Sequence, residues 1–280
     1  MRIVAAHALR ESLRRRVFAV VLVLSIVFLA LYAWGTAELF ADVESWDDNE
    51  FGVEPDVLAG ATVLGLATFA ILFLGAVLAT FLTLHAVRGD ADRGLLQPLV
   101  VRPLGRTAYL GGRLLAAATV SAAYSVALFG ACVVVTGVIG WWPDRVVEPA
   151  LGLAGAAVVI AALALLGSVV LGTTANGIAV FMVFGAGLTA GLLGQIGESL
   201  NSDTLTDIGE IATWVLPFEA LYQDGLAGLT ADVTGTTSLV VNLGPFGGAN
   251  EGGALLWPFA AAYVAATFAA AAGLFKRRDL

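Results

Sequence analysis

The sequence predicts an all-α integral membrane protein, with six transmembrane helices, an interfacial helix at the N-terminus and short interfacial helices on the outer face. Three observations predict it. Of the 280 residues, 59% are apolar and only 13% charged, where a soluble domain carries about 25% charged residues. The charges also leave long stretches empty, and the basic residues gather in segments that six crossings place on one face.

The charge-free runs set the spans. Val17 to Ala37, Val57 to Leu84, Leu114 to Pro143 and Ala254 to Phe275 contain no charge, and neither do the 49 residues between Glu148 and Glu198. Crossing a hydrocarbon core of about 30 Å takes about 20 helical residues. The longest run is therefore two spans and a turn. Spans are expected at about 17–37, 57–84, 114–142, 149–171, 178–197 and 254–275, within one transmembrane domain covering 1–280.

Residues 2–16 alternate Arg with Ala, Leu and Val. Ala6, Leu9, Leu13 and Val17 share one side at helical spacing, with Arg10 and Arg14 close by, as in a helix lying on the inner leaflet. The first apolar run continues through Leu31, Tyr32 and Trp34. It outlasts the roughly 7–15 apolar residues of a secretory signal, so it reads as an uncleaved span. Residues 38–56 form an outer loop with eight acids and no base. The 141–148 outer loop is short, with Trp141 and Trp142 at the interface and Pro143 ending the helix.

Gly172, Thr173, Thr174, Ala175, Asn176 and Gly177 are expected to make the turn between the fourth and fifth spans, since Gly and Asn tolerate left-handed backbone. In the large outer segment 198–253, Leu205, Ile208 and Ile211 recur at helical spacing against Asp207 and Glu210. Pro217 then suits the first turn of a second short helix.

Basic residues orient the chain. Arg2, Arg10, Arg14, Arg15 and Arg16 precede the first span. Arg88, Arg93, Arg102, Arg106 and Arg113 lie between the second and third, and Lys276, Arg277 and Arg278 follow the sixth. Only Arg145 falls on the opposite face. Because cytoplasmic loops carry the excess of Lys and Arg, both termini and the 85–113 loop are expected in the cytoplasm of a cell-membrane protein. Of the acids, only Glu11, Asp90, Asp92 and Asp279 share that side.

Several chemistries lack their residues. Lys276 is the only lysine and is followed by Arg277, so no P-loop lysine preceding Ser or Thr is present. His7, His85 and Cys132 cannot make a disulfide or a Cys/His metal cluster. No acid or base falls inside an expected span, which disfavours an ion-coupled carrier, and no catalytic set points to a membrane enzyme. Ser121, Tyr124, Ser125, Thr136 and Asn176 read as helix-packing groups, while Gly187 and Gly191 permit a close helix approach.

The inner loop carries the most specific signal. It runs Arg88-Gly89-Asp90-Ala91-Asp92-Arg93-Gly94-Leu95-Leu96-Gln97-Pro98-Leu99-Val100-Val101-Arg102-Pro103-Leu104-Gly105-Arg106 and on to Gly112-Arg113. At these residues the chain resembles the permease subunits of ABC type-2 exporters, most closely the branch grouped with multi-copper enzyme maturation permeases. Asp92, Arg93, Gly94 and Leu96 match the family's acid–basic–Gly-x-Leu run. Pro103 and Arg106 match its Pro-x-x-Arg, and Gly112-Arg113 its Gly-Lys. Leu95 stands where Thr is usual, and Pro98 is atypical.

The resemblance implies a division of labour. A separate cytoplasmic ATPase would bind and hydrolyse ATP, so this chain needs no cofactor and is not itself an enzyme. The 90–98 segment would be a coupling helix docking in a cleft of that ATPase, with Leu95, Leu96 and Leu99 filling the groove. Asp90, Asp92, Arg93, Gly94, Arg102, Pro103 and Arg106 complete the implied coupling set. Two permease copies would pair, and a lipid-like or amphipathic cargo would suit spans without charge. A nucleic-acid partner is not expected. A single lysine with 18 outward acids resembles proteins of salt-saturated surroundings, where a Debye length near 3 Å at about 1 M salt quiets such repulsion.

Overall fold

A computed structural model describes residues 16–43, 55–84, 86–87, 105–230 and 252–277. The expected interfacial helix at 2–16, apart from Arg16, and the expected coupling helix at 90–98 lie outside the described residues. Among those described there are eight helices. These are α1 (Arg16–Val43), α2 (Pro55–Thr83), α3 (Arg106–Ile139), α4 (Val147–Val170), α5 (Thr173–Leu200), α6 (Asp203–Val215), α7 (Pro217–Thr230) and α8 (Leu256–Lys276). All except α6 and α7 are long and apolar enough to cross a bilayer. The chain is thus built as a multi-pass helical membrane protein, in which helices satisfy their own backbone groups where lipid cannot.

Hydroxyls inside the apolar helices follow the same logic. Ser25, Thr36, Thr83, Ser121 and Thr136 each donate to the backbone carbonyl one turn earlier, at 2.7–3.0 Å. Side-chain bonds also join helices: Tyr32 of α1 pairs with Thr136 of α3, and Ser25 of α1 with Tyr124 of α3. Of the residues read as packing groups, Tyr124 and Thr136 join helices, whereas Ser121 bonds within its own helix and Ser125 is buried with its hydroxyl unpartnered.

The bundle centres on α4, which lies against α2, α3, α5, α7 and α8. It is 61% buried over its most apolar stretch, compared with 17% for α1 at the edge. Glycine and alanine make this possible: Ala156, Ala157, Ala161, Ala162 and Ala164 are all buried, and small residues let helix backbones approach.

α1 runs on to Val43, through residues expected in the outer loop, and two further boundaries differ from the sequence expectation. The α4–α5 reversal takes only Leu171 and Gly172, both extended, with φ of −99° and −67°. Thr173 to Gly177 are already the first turns of α5. No left-handed residue is needed there; the described residues with positive φ are Asn201 and Gly253. Asn176 explains the shift, because its side-chain amide donates to the Ala164 carbonyl at 2.9 Å and ties α5 to α4.

The second difference is at α3, which begins at Arg106 rather than near Leu114. Its 34 residues reach about 50 Å at 1.5 Å each, more than a bilayer core, so arginines on its first turns extend past the apolar layer. The bundle consequently has a basic end, with Arg106, Arg113 and Lys276, and an acidic end, with Glu148, Glu198 and Asp203.

Candidate functional site

Of the implied coupling residues, Asp90, Asp92, Arg93, Gly94, Leu95, Leu96, Leu99, Arg102 and Pro103 lie outside the described residues. Arg106 is described, at the first position of α3. Its guanidinium donates to the carbonyls of Phe275 and Lys276 at 3.3 and 3.2 Å and lies 5.9 Å from the Phe275 ring centre. A cation here satisfies carbonyls that the end of α8 leaves unpaired and meets the negative end of its dipole. Nearby, Tyr109 donates to the Ala86 carbonyl at 3.1 Å, and Arg113 lies over the Tyr109 ring and donates to its hydroxyl. The chain therefore departs after α2 and returns at α3 through one pinned point, and residues 88–104 connect its two sides.

The second candidate site lies at the acidic end and follows from the α6–α7 pair. Both short helices occur where the periodicity and Pro217 place them, but they do not lie flat. Asn201, with φ of 50°, ends α5, and Ser202 N–H reaches the Gly197 carbonyl at 2.8 Å. The chain then folds back along α5. A Cβ on Gly209 would stand only 2.5 Å from the Gly194 Cα, so the two backbones touch.

The α6–α7 turn reaches Gly187 and Phe184 of α5, where Phe218 stacks on Phe184 with centroids 5.5 Å apart. Gly187 is 13 residues from the end of α5, about 20 Å along the helix. From there α7 climbs back to Glu148 at the start of α4. Gly152 and Gly225 permit its close contact with α4, since a Cβ on Gly152 would stand 2.4 Å from the Leu221 carbonyl oxygen. The close approach at Gly187 and Gly191 is thus made by α7.

This hairpin carries a carboxyl into the interior. Glu219, in the first turn of α7, is 1% exposed. One carboxyl oxygen accepts a hydrogen bond from Gln223, and the other, Oε2, is buried without a partner. It occupies the space opened by Gly191, where a Cβ would overlap Oε1. Burial pushes the carboxyl up to about 8, outweighing the Gln223 hydrogen bond that lowers it. No acid falls inside an expected span, yet the interior holds this one. The charge-free runs describe the six long helices, and Glu219 enters on a seventh, shorter one.

Above Glu219 is a cavity of about 330 Å³ between α5, α6 and α7. Gly191 and Gln223 form its floor, and Gln195, Glu198, Glu210 and Trp214 are among its walls. The Gln195 side-chain nitrogen is also buried without a partner. Trp214 meets Phe259 of α8 edge-to-face at 4.8 Å, which fixes the indole. Around the far side of α7, Arg145 pairs with Glu148 at 3.8 Å, and Asp224 accepts from Gly252 N–H at 3.0 Å. Among the described residues, no cluster of His, Cys, Asp and Glu is suited to hold a metal ion.

No family model and no curated protein matches the chain. What the described residues define is a class: a six-span helical membrane protein with a polar cavity beside a folded-back helical hairpin.

Proposed function

We propose that this chain is the transmembrane permease subunit of an ATP-binding-cassette exporter, working with a separate cytoplasmic ATPase and pairing with a second permease copy to move an amphipathic or lipid-like cargo. The observation that carries the reading is the residue run from Asp92 to Arg113, which follows the second long helix and ends in the first turns of the third. Support comes from the pinned departure and return of that loop at Ala86 and Tyr109, and from Arg106 joining its exit to the end of α8. A rigid base suits a segment that must pass a push from a partner to the bundle. The lone lysine, Lys276, leaves ATP binding to that partner. With the basic end inward, the termini are cytoplasmic and the hairpin cavity faces outward.

The test is copurification from native membranes. The tagged chain should bring down a P-loop ATPase, and reversing charge at Asp92 or Arg93 should release it while the permease still elutes as a folded particle. Reversal at Asp48, in the acidic loop, should leave the complex intact. Loss at both positions, or at neither, would count against docking through the loop. A cysteine at Gly105 should react with an impermeant thiol reagent only after permeabilisation, and one at Asp48 in intact cells; the opposite pattern would invert the chain.

Glu219 gives a second reading its footing. A buried, partly unpartnered carboxyl is what an ion-coupled carrier requires. That reading expects transport by the chain alone under a proton gradient.

A further inference from the structure

We propose that Glu219 is a proton-operated latch on the α6–α7 hairpin: neutral, it lets α6 lie closed along α5, and ionised, it releases α6 as a lid over the cavity between α5, α6 and α7. The inference concerns how the hairpin moves and does not depend on the permease reading.

The carboxyl is sealed in the closed form. Glu219 is 1% exposed, and its Oε2 is buried without a partner. It does not line the cavity, but Gly191, Ala220 and Gln223 do, and these are its neighbours. The Gln223 side chain therefore touches the carboxyl on one side and the cavity on the other.

The lid is lightly held. α6 meets α5 through glycines, Gly194 against Gly209 and Gly197 against Thr206, and only Gly209 of α6 is buried. A ring contact, Trp214 on Phe259, ties it to α8. Lifting α6 uncovers little apolar surface, whereas lifting α7 would uncover Phe218, Leu221 and Leu226. α6 also has a joint at each end. Asn201, with φ of 50°, precedes it, and Leu216, with φ of −130° and ψ of 70°, follows it. A few such residues between elements absorb hinge motions.

No base is placed to draw the proton off. The titratable groups of α7 itself are Tyr222 and Asp224. Those on the helices packed against it are Asp56 of α2, Glu148 of α4, Glu198 of α5, Asp203, Asp207 and Glu210 of α6, and Tyr263 and Lys276 of α8. Lys276 ends α8 at the opposite, basic end, and Arg145, just before α4, is paired with Glu148 at 3.8 Å. An ionised Glu219 in the closed form sets its Gln223 bond against full desolvation, and burial raises the carboxyl from 4.5 to about 8. Lifting α6 admits water, in which the carboxyl returns to its ordinary range. The open form is therefore favoured increasingly as pH rises above about 4.5. The gain levels off above about 8, with a ceiling of about a thousandfold.

The experiment is hydrogen exchange read by mass spectrometry on the full chain in nanodiscs of zwitterionic lipid, in unit steps from pH 6 to pH 10, with the base catalysis of free amides divided out. Protection of α6 should fall at least tenfold from pH 6 to pH 9 and then level off, while protection of α4 stays constant. Tyr222, raised to about 12 by burial, remains protonated across this range. In Glu219→Gln, α6 should keep its pH 6 protection throughout.

Unchanged α6 protection in the wild type, the same fall in Glu219→Gln, or a matching fall in α4 would overturn the latch. Gel filtration shows whether Glu219→Gln is folded. If it is not, the wild-type profile decides: levelling above pH 8 supports Glu219, and a fall that continues to pH 10 overturns it. Gln223→Leu removes the carboxylate's hydrogen bond, so its levelling point should move to higher pH, and an unmoved point would also overturn the latch.

Discussion

The helices α6 and α7 are nearly equal in length, adjacent in the chain, and each begins with or carries acids in its first turn, yet they have opposite surroundings. Of α6, only Gly209 is buried. Its Asp207 and Glu210 are exposed, as is Ile211 at 63%. Of Pro217 to Leu229 in α7, only Asp224 and Ala227 escape full burial. The difference lies in what each helix meets. One side of α6 rests on α5, while α7 is enclosed by α2, α4, α5 and α8. An acid on α6 stays in a polar setting, whereas Glu219 is desolvated. Polarity in a short helix thus says little about where the helix sits, and small residues on its neighbours say more.

The sharpest way to test that contrast is truncation. Phe218→Ala, at 0% exposure, should cost about 3–5 kcal/mol as a deleted core aromatic, while Ile211→Ala should fall within about 0.5 kcal/mol. Thermal unfolding in one detergent measures both, and similar losses would remove the distinction between the helices. Next comes the Gly194–Gly209 contact. Gly209→Leu should force α6 off α5 at a cost of about 1–3 kcal/mol or more, lowering the melting temperature and opening the cavity to thiol reagents at Gly191→Cys.

A third expectation concerns pH. The folded carboxyl of Glu219 sits near 8, above its ordinary 4.5, so folding favours its neutral form. Its stabilising contribution is complete below about pH 4.5 and is lost as pH rises through 8. The melting temperature should fall between pH 5 and 9, and Glu219→Gln should flatten that slope. An unchanged slope would show that the carboxyl is not desolvated. The smallest effect is expected at the exposed pair Arg145–Glu148, where Glu148→Gln should cost at most about 1 kcal/mol and less in high salt.

The long helices are legible because bilayer thickness demands an unbroken apolar run, and charge interrupts such runs only at their ends. The amphipathic spacing of Leu205, Ile208 and Ile211 against Asp207 and Glu210 marks α6 for the same reason: one of its faces remains polar. The enclosed α7 shows no such division. Glu219, Tyr222 and Gln223 read as surface residues, and only the glycines that receive them, Gly152 and Gly191, hold a clue. Gly187 and Gly191 do mark the close approach, though not its partner. At Arg106 and Arg113 the charges read as loop, because a helix that outruns the bilayer keeps its form in water. At Thr173–Gly177 turn chemistry competes with Asn176, whose bond to the Ala164 carbonyl pulls those residues into α5. The coupling role proposed for the inner loop rests on the family resemblance of its residues.

As proposed, this chain moves cargo with energy supplied by another polypeptide. The direct measurement is reconstitution into proteoliposomes, alone and with the ATPase recovered by copurification, following ATP hydrolysis and amphipath efflux with proton and sodium gradients collapsed. The chain alone should neither hydrolyse ATP nor transport. The pair should do both without an ion gradient, and charge reversal at Asp92 should uncouple them. Transport by the chain alone, driven by a proton gradient and abolished in Glu219→Gln, would contradict the claim.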